Sequence, residues 1–325
     1  MKLIFMGTPE YTVPVLAALA DAGHEIVGVY TQPDRPSGRG NKTTPPAVKQ
    51  YAMERGLRVF QPESLKPQAV KAEMATLAPE AIVVAAYGLF LPKATLELAP
   101  LGALNIHPSM LPKYRGPSPI TTAILNGDLK TGVTIMKLDS GMDTGPIIAQ
   151  REATIKPDET TPELTERLFR LGSVLLTEVL PLWKAGIIHA EPQDRSAATV
   201  TELLSKEDGD IDWTKDAASI ARQVRAFQPW PGTYTHWEGK MVKVLEASAV
   251  GAGDGKQPGS AALLPTGEMA ISTGSGILVV RRLQMEGKKP ATAREFAQGY
   301  PAFVGGRVGR KSPVENMADI GHNKE

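Results

Sequence analysis

Residues 81–87, Ala-Ile-Val-Val-Ala-Ala-Tyr, are a near-continuous apolar run without a polar face. A strand of that kind must be covered on both sides, the environment of a central strand in a parallel sheet flanked by helices. The start of the chain reads the same way. Residues 2–6 predict a buried strand closed by Gly7-Thr8-Pro9, residues 14–22 a helix with Leu16, Leu19 and Ala20 at helical spacing, and residues 25–30 a second strand. Strand, helix and strand in quick succession open a parallel βαβ fold. No Gly-x-Gly-x-x-Gly comes after the first strand, which argues against a dinucleotide-binding oxidoreductase. Ligands of such sheets sit outside the carboxyl ends of the strands, where the strand order reverses. Residues 88–92 turn away from one such end.

The same rhythm continues with helices at 47–55 and 66–77, a short strand at 57–60, a helix at 119–126 and strands at 131–138 and 147–155. A long helix comes next at 161–183, with Leu164, Leu168, Leu171 and Leu175 on one face; Pro162 suits its first turn and Pro181 is expected to bend or end it. From 191 to 203 the βα rhythm is lost and a linker is expected. Beyond it come a short helix at 217–225 and short alternating runs at 240–247, 259–263, 269–272 and 276–283, separated by glycines, the pattern of a small barrel. A length of 325 residues suits two domains. The absence of cysteine rules out disulfides, thiol nucleophiles and thiolate metal sites, and five scattered His without HExxH spacing predict no metal. The chain enters MKLIFMGTP directly, without a signal peptide, and has no apolar run of membrane-spanning length, so no membrane association and the cytoplasm of a bacterium are expected.

The candidate chemistry lies in residues 104–119. Leu104-Asn105-Ile106-His107 alternates like the end of a half-buried strand, so Asn105 and His107 share a face. Pro108, Pro112, Pro117 and Pro119, with Gly116, make residues 108–119 a rigid loop. An amide donor beside a group that titrates near neutrality suits acyl transfer; a strand histidine is also a common structural residue. A second stretch, residues 138–146, succeeds an apolar run and presents Asp143 between glycines, a pattern equally suited to a polar turn. Together, Asn-x-His-x-Ser-x-Leu-Pro at 105–112 and Asp-x-Gly-x-Asp-Thr-Gly at 139–145 closely resemble the formyltransferase family that uses 10-formyltetrahydrofolate.

Matched residue by residue, the resemblance implies a catalytic trio of Asn105, His107 and Asp143. It implies that Asn105 and His107 stabilise a tetrahedral oxyanion, that His107 or a water it holds protonates the leaving folate nitrogen, and that Asp143 holds His107 in orientation. It places the folate beside Tyr87, Gly88, Leu89 and Leu91 and beside Ser109, Met110, Leu111 and Pro112, with Met110 where the family usually has Leu. No covalent enzyme intermediate is expected.

Residues 31–46, with Pro33, Pro36, Pro45, Pro46, Gly38 and Gly40, are too long for a plain connection and carry three cations, Arg35, Arg39 and Lys42. They read as a solvated loop and also resemble a loop of methionyl-tRNA formyltransferases that enters the tRNA acceptor end, Arg39 being the matching cation. LSKEDGDIDW (204–213) and PWPGTY (229–234) resemble the carboxyl-terminal domain of the same enzymes, an OB-like barrel. Between 281 and 311 eight cations face only Glu286 and Glu295, either a solvated basic face or a backbone-binding patch. The resemblance assigns tRNA contacts to Arg39, Lys42, Lys206, Arg281, Arg282, Lys288 and Lys289. The expected fold is therefore α/β: a Rossmann-like formyltransferase domain (1–190) with a mostly parallel sheet, a linker (191–203), an OB-like barrel (204–311) and a disordered tail (312–325). The expected reaction is formylation of methionyl initiator tRNA by a monomer. An amino-sugar-nucleotide formyltransferase is the alternative, since such enzymes share the trio and can carry a similar second domain, although the 35–46 loop does not suit them.

Overall fold

In the computed structural model, residues 1–37, 42–251, 253 and 255–309 are described. The chain divides into two units, Met1–Ile120 with Leu129–Ile155 and Glu163–Glu202, and the remainder. In the first unit the order is β1 (Lys2–Gly7), α1 (Val13–Asp21), β2 (Glu25–Tyr30), β3 (Arg35–Ser37), β4 (Lys42–Thr44), α2 (Ala47–Glu54), β5 (Val59–Phe60), α3 (Gln68–Thr76), β6 (Ala81–Ala85), α4 (Lys93–Leu96) and β7 (Ala103–His107). Then come α5 (Pro119–Asn126), whose residues from Thr121 on belong to the second unit, and β8 (Lys130–Lys137), β9 (Ile147–Thr154) and α6 (Thr161–Lys184). The main sheet runs β5-β2-β1-β6-β7-β8-β9. The first five strands are parallel, whereas β8 pairs antiparallel with β7 and β9 with β8. Leu3, Ile4, Phe5 and Met6 in β1 and Ala81, Ile82 and Val83 in β6 are wholly buried, which requires cover on both faces.

The chain builds outward through β1, β2 and β5 and then returns to place β6 on the other side of β1. The strand order reverses between β1 and β6, and there the carboxyl ends are pinned together. Thr8 Oγ1 donates to the Tyr87 carbonyl at 2.9 Å and accepts from Gln32 N at 3.2 Å, while Gln32 Nε2 reaches the same carbonyl at 3.3 Å. Strand β6 stops at Ala85, two residues short of the apolar run, because Ala86 (φ 46°) and Gly88 (φ 88°) turn left-handed. Tyr87 swings into the core beside Ile4, Met6, Tyr30 and Leu91, where burial pushes its hydroxyl up to about 12.

Helix α6 covers β7: a Cβ at Gly172 would lie 2.6 Å from Ile106 Cγ2, so Ile106 faces the helix and Asn105 and His107 face the other way. Pro181 does not end α6. It faces solvent within the last turn, where only one ladder bond is lost, and Ala185 N still donates to its carbonyl at 3.0 Å. Residues 35–37 and 42–44 of the 31–46 stretch form strands rather than plain loop. Strands β3 and β4 pair antiparallel, Arg35 against Thr44, and Asp34 at the base accepts from Lys49 Nζ at 2.6 Å and Gln61 Nε2 at 2.7 Å. Arg39 and the rest of 38–41 lie outside the described residues.

The second unit contains α7 (Ala217–Ala226), β10 (Thr233–Trp237), β11 (Lys240–Val250), β12 (Ala261–Leu263), β13 (Met269–Ser272), β14 (Ile277–Met285), β15 (Ala291–Thr292) and α8 (Ala293–Gly299). Its antiparallel sheet runs β10-β11-β14-β13-β12, with β15 on β14. Residues 305–309 close the ring. Gly305 N donates to Ala261 O and Val308 N to Gly259 O, while Gly309 exchanges both backbone bonds with His236 of β10. The enclosed core includes Trp213, Val242, Ile271, Leu278, Phe296 and Phe303. The 204–213 motif joins it through Ile211 N to Tyr234 O and through Trp213 Nε1 to Thr235 Oγ1 at 2.9 Å. Segments 121–128 and 156–162 belong to this unit too: Arg222 Nε donates to Leu125 O and Arg225 Nη1 to Glu159 O. Strand β10 and helix α8 have no counterpart in the sequence reading, β10 because Thr-Tyr-Thr-His-Trp lacks a clean apolar alternation and α8 because it is two turns long. Residues 310–325, the expected tail among them, lie outside the described residues. Among the described residues no helix is long and apolar enough to cross a membrane.

Candidate active site

Asn105 and His107 sit at the carboxyl end of β7, paired with Met136 and Thr134 of β8. His107 is 4% exposed. Its Nε2 lies 2.9 Å from the Tyr114 carbonyl, an oxygen that can only accept, so this nitrogen carries hydrogen and Nδ1 is the ring position left for proton exchange. Nδ1 faces Asp143 Oδ2 at 3.6 Å, too long for a direct hydrogen bond. The ring is thus held from two sides, by the Tyr114 carbonyl at Nε2 and by the Asp143 carboxylate facing Nδ1. Asn105 is half-buried and its amide makes no hydrogen bond to a described residue, leaving donors free at the end of the strand.

The Asp143 loop is built by its own motif. Asp139 Oδ1 accepts from Gly141 N at 3.0 Å and Thr144 Oγ1 at 2.7 Å, an Asx turn that starts the loop. Gly145 is required by space, because a Cβ there would collide with the Lys137 carbonyl. Between them Asp143 adopts φ 52°, and its Oδ2 accepts from Gly116 N at 2.8 Å. Tyr114 (φ 64°) and Ala86 (φ 46°) are left-handed as well, so three of the five non-glycine residues with positive φ among the described residues stand at the candidate site. Such strain persists only where the surroundings over-determine it.

Much of that determination comes from residues 191–201, which the sequence reading takes as linker. Glu191 and Ile147 exchange backbone bonds, Thr199 Oγ1 accepts from Tyr114 N, Arg115 N donates to Thr199 O, and Thr201 N returns to Arg115 O. Thr201 Oγ1 also accepts from Ser118 N at 3.0 Å. Gln193 Nε2 donates to the carbonyls of Asp143 (2.8 Å) and Gly145 (2.7 Å), and its Oε1 accepts from Arg115 Nε (3.0 Å) and Nη2 (2.7 Å). The stretch is a strap over both loops. Nothing local in Ala-Glu-Pro-Gln-Asp-Arg-Ser announces this, since the loop partners of the strap are 44 to 87 residues away.

Of the folate candidates, Tyr87 (2% exposed), Leu91 (6%), Ser109 (0%) and Leu111 (3%) are buried. Ser109 Oγ donates to Lys113 O at 2.6 Å, and Gln150 Nε2 and Thr134 Oγ1 fix the Leu111 backbone. Gly88 is exposed, and Leu89, Met110 and Pro112 are half-buried. Of the tRNA candidates, Lys206, Arg281, Arg282, Lys288 and Lys289 are all exposed in the second unit. Arg281 is tied to Glu268 at 3.0 Å and to Ser248; the other four make no ion pair with a described residue. Arg39 and the Lys42 side chain are not among the described groups. No cluster of three His, Cys, Asp or Glu among the described residues could hold a metal ion.

The formyl transferase family matches residues 1–180, and the formyl transferase C-terminal domain matches residues 203–301. The chain belongs to the formyl transferase family. Within it, a methionyl-tRNA formyltransferase of Chloroflexus aggregans is 48% identical over 303 residues, covering 93% of this chain and 98% of that one. A methionyl-tRNA formyltransferase of Roseiflexus sp. is 44% identical, covering 96% of each. Solved structures of this formyl transferase fold include HypX from Aquifex aeolicus in complex with tetrahydrofolic acid, at TM-score 0.64 and 17% identity over 93% of this chain; the chain spans about half of HypX, 48%. An N-formyltransferase from Helicobacter canadensis, in complex with folinic acid and dTDP-3-aminofucose, superimposes with TM-score 0.63 at 18% identity, over 86% of this chain and 98% of that one. At those identities the likeness is one of fold.

Proposed function

We propose that this formyl transferase moves the formyl group of 10-formyltetrahydrofolate to the α-amine of methionyl initiator tRNA, giving formylmethionyl-tRNA, and that Asn105, His107 and Asp143 carry the reaction. The observation that bears the site assignment is the approach of His107 and Asp143 at the end of β7, with His107 held through Nε2 and its Nδ1 facing Asp143, on the strand face that Asn105 shares. An α-amino group has a pKa near ~8, so a useful fraction is neutral and nucleophilic at physiological pH. It attacks the formyl carbon and a tetrahedral oxyanion forms. The Asn105 amide donates to that oxygen; one such donor is worth about 3 kcal/mol of barrier. As the bond to the folate nitrogen breaks, His107 Nδ1, directly or through a water, delivers the proton that nitrogen needs. The Asp143 carboxylate, held at Oδ2 by Gly116 N, positions the water that takes the amine's proton. No enzyme nucleophile takes part.

In this reading the folate contacts Gly88, Leu89, Met110 and Pro112, while the buried Tyr87, Leu91, Ser109 and Leu111 stiffen the wall behind them. The tRNA backbone is held by Arg39 and Lys42 of the 31–46 segment and by Lys206, Arg281, Arg282, Lys288 and Lys289. The protein acts as a cytoplasmic monomer. The test is single-turnover formylation with three acceptors: methionyl initiator tRNA, methionyl elongator tRNA and an amino-sugar nucleotide. Fast transfer confined to the initiator is expected. Transfer to the sugar with none to tRNA would sink the acceptor assignment and leave the trio standing.

A further inference from the structure

We propose that Gln193 is a positioning residue that holds Asp143 in its left-handed conformation, and that the buried guanidinium of Arg115 fixes Gln193 in place. The inference rests on the role given to Asp143 above. Arg115 can only donate and the two backbone carbonyls can only accept, so the orientation of the Gln193 amide is determined by its partners. Both of its hydrogens go to Asp143 O and Gly145 O, and its oxygen receives two guanidinium donors. Arg115 is 8% exposed and has no carboxylate partner among the described residues, so the Gln193 carbonyl dipole supplies the negative end that its charge faces. Two charged donors on one side of an amide polarise it and strengthen donation from the other side. The two carbonyls so gripped flank the turn that aims the Asp143 carboxylate at Gly116 N and towards His107. Without the grip, a non-glycine residue at φ 52° relaxes towards the right-handed region and its carboxylate leaves that position.

The experiment compares four proteins in single-turnover formylation across pH: the parent, Gln193→Ala, Asp143→Asn and the double variant, with Gln193→Glu as a fifth. Gln193→Ala is expected to lower kcat by roughly 10- to 100-fold, the scale of a misplacement of about 1 Å. KM for both substrates is expected to stay unchanged and the pH profile of kcat to shift. Gln193→Glu keeps the pairing to Arg115 but sets an oxygen against two carbonyls, so its kcat is expected to fall with stability retained. In the Asp143→Asn background, removal of Gln193 is expected to cost nothing further, because both act through one group. Gln193→Ala with the parent's kcat and pH profile, or a loss that multiplies in full with Asp143→Asn, would overturn the proposal. Normal turnover by Asp143→Asn itself would instead remove the role given to Asp143.

Discussion

His107 has two ring nitrogens with different duties, and the difference sets what each substitution costs. Its Nε2 occupies the Tyr114 carbonyl inside the fold. His107→Ala therefore removes the proton carrier and also the buried hydrogen bond from Nε2 to the Tyr114 carbonyl. It is expected to lower kcat by about 10²- to 10⁴-fold and, through the lost hydrogen bond, to destabilise the protein by about 0.5–1.5 kcal/mol, measured by single-turnover kinetics and denaturant unfolding. Asp143→Asn keeps an oxygen able to accept from Gly116 N, so kcat is expected to fall comparably with little change in unfolding midpoint. Equal stability losses in the two variants would contradict this division of labour. The left-handed Tyr114 and Asp143 belong to the same account: each presents its carbonyl or carboxylate where a regular strand could not.

At the scale of elements, β7 and α6 act as one piece. Gly172 is the point of contact, because a Cβ there would meet Ile106 Cγ2 at 2.6 Å. In an exposed helix, glycine to alanine gains up to about 1 kcal/mol of propensity. Here Gly172→Ala is expected to destabilise by about 1–3 kcal/mol, and to lower kcat, since any displacement of Ile106 moves Asn105 and His107 with it. A thermal melt together with kcat checks this; a stabilised, fully active variant would show that the helix can yield. Glu80 gives the same pair of layers an electrostatic clasp, accepting from Lys184 Nζ at 2.6 Å and from Lys2 N at 2.7 Å.

Over the whole molecule, charge decides how stability and tRNA binding respond to solution conditions. The lysine bond, then the backbone bond, hold Glu80 below the usual carboxylate range. Asp34 is lowered by Gln61 and Lys49, and Asp216 by the Ser219 hydroxyl and amide at the start of α7. A carboxyl lowered in the folded state stabilises above its unfolded value, near ~4, and loses that contribution as pH falls through the lower folded value. The melting temperature is thus expected to be flat from neutral pH down to about 5 and to drop below about 4, less steeply in Glu80→Gln than in the parent. Salt acts on the other partner. With net charge +1 but exposed Arg282, Lys288 and Lys289 in the second unit, KM for tRNA is expected to rise steeply between about 50 and 200 mM salt, while KM for the folate changes little. Reversal of all three to Glu is expected to flatten that dependence.

The parallel sheet was legible because apolar runs such as 2–6 and 81–87 have only one compatible environment, and Asn105, His107 and Asp143 stood out as candidates because the stretches around them carry their own local motifs. The barrel's strands β11 to β14 were visible for the same reason, in alternation punctuated by glycine. What no local pattern holds is closure. The seam formed by residues 305–309, the strap at 191–201, the choice of Tyr114 rather than Asp143 as the partner of His107 Nε2, and the lodging of 121–128 and 156–162 in the second unit all rest on hydrogen bonds between residues remote in sequence. Sequence periodicity reports which face of a segment is buried. Which distant carbonyl a buried amide finds is decided only when the tertiary fold excludes water and every remaining donor must be paired.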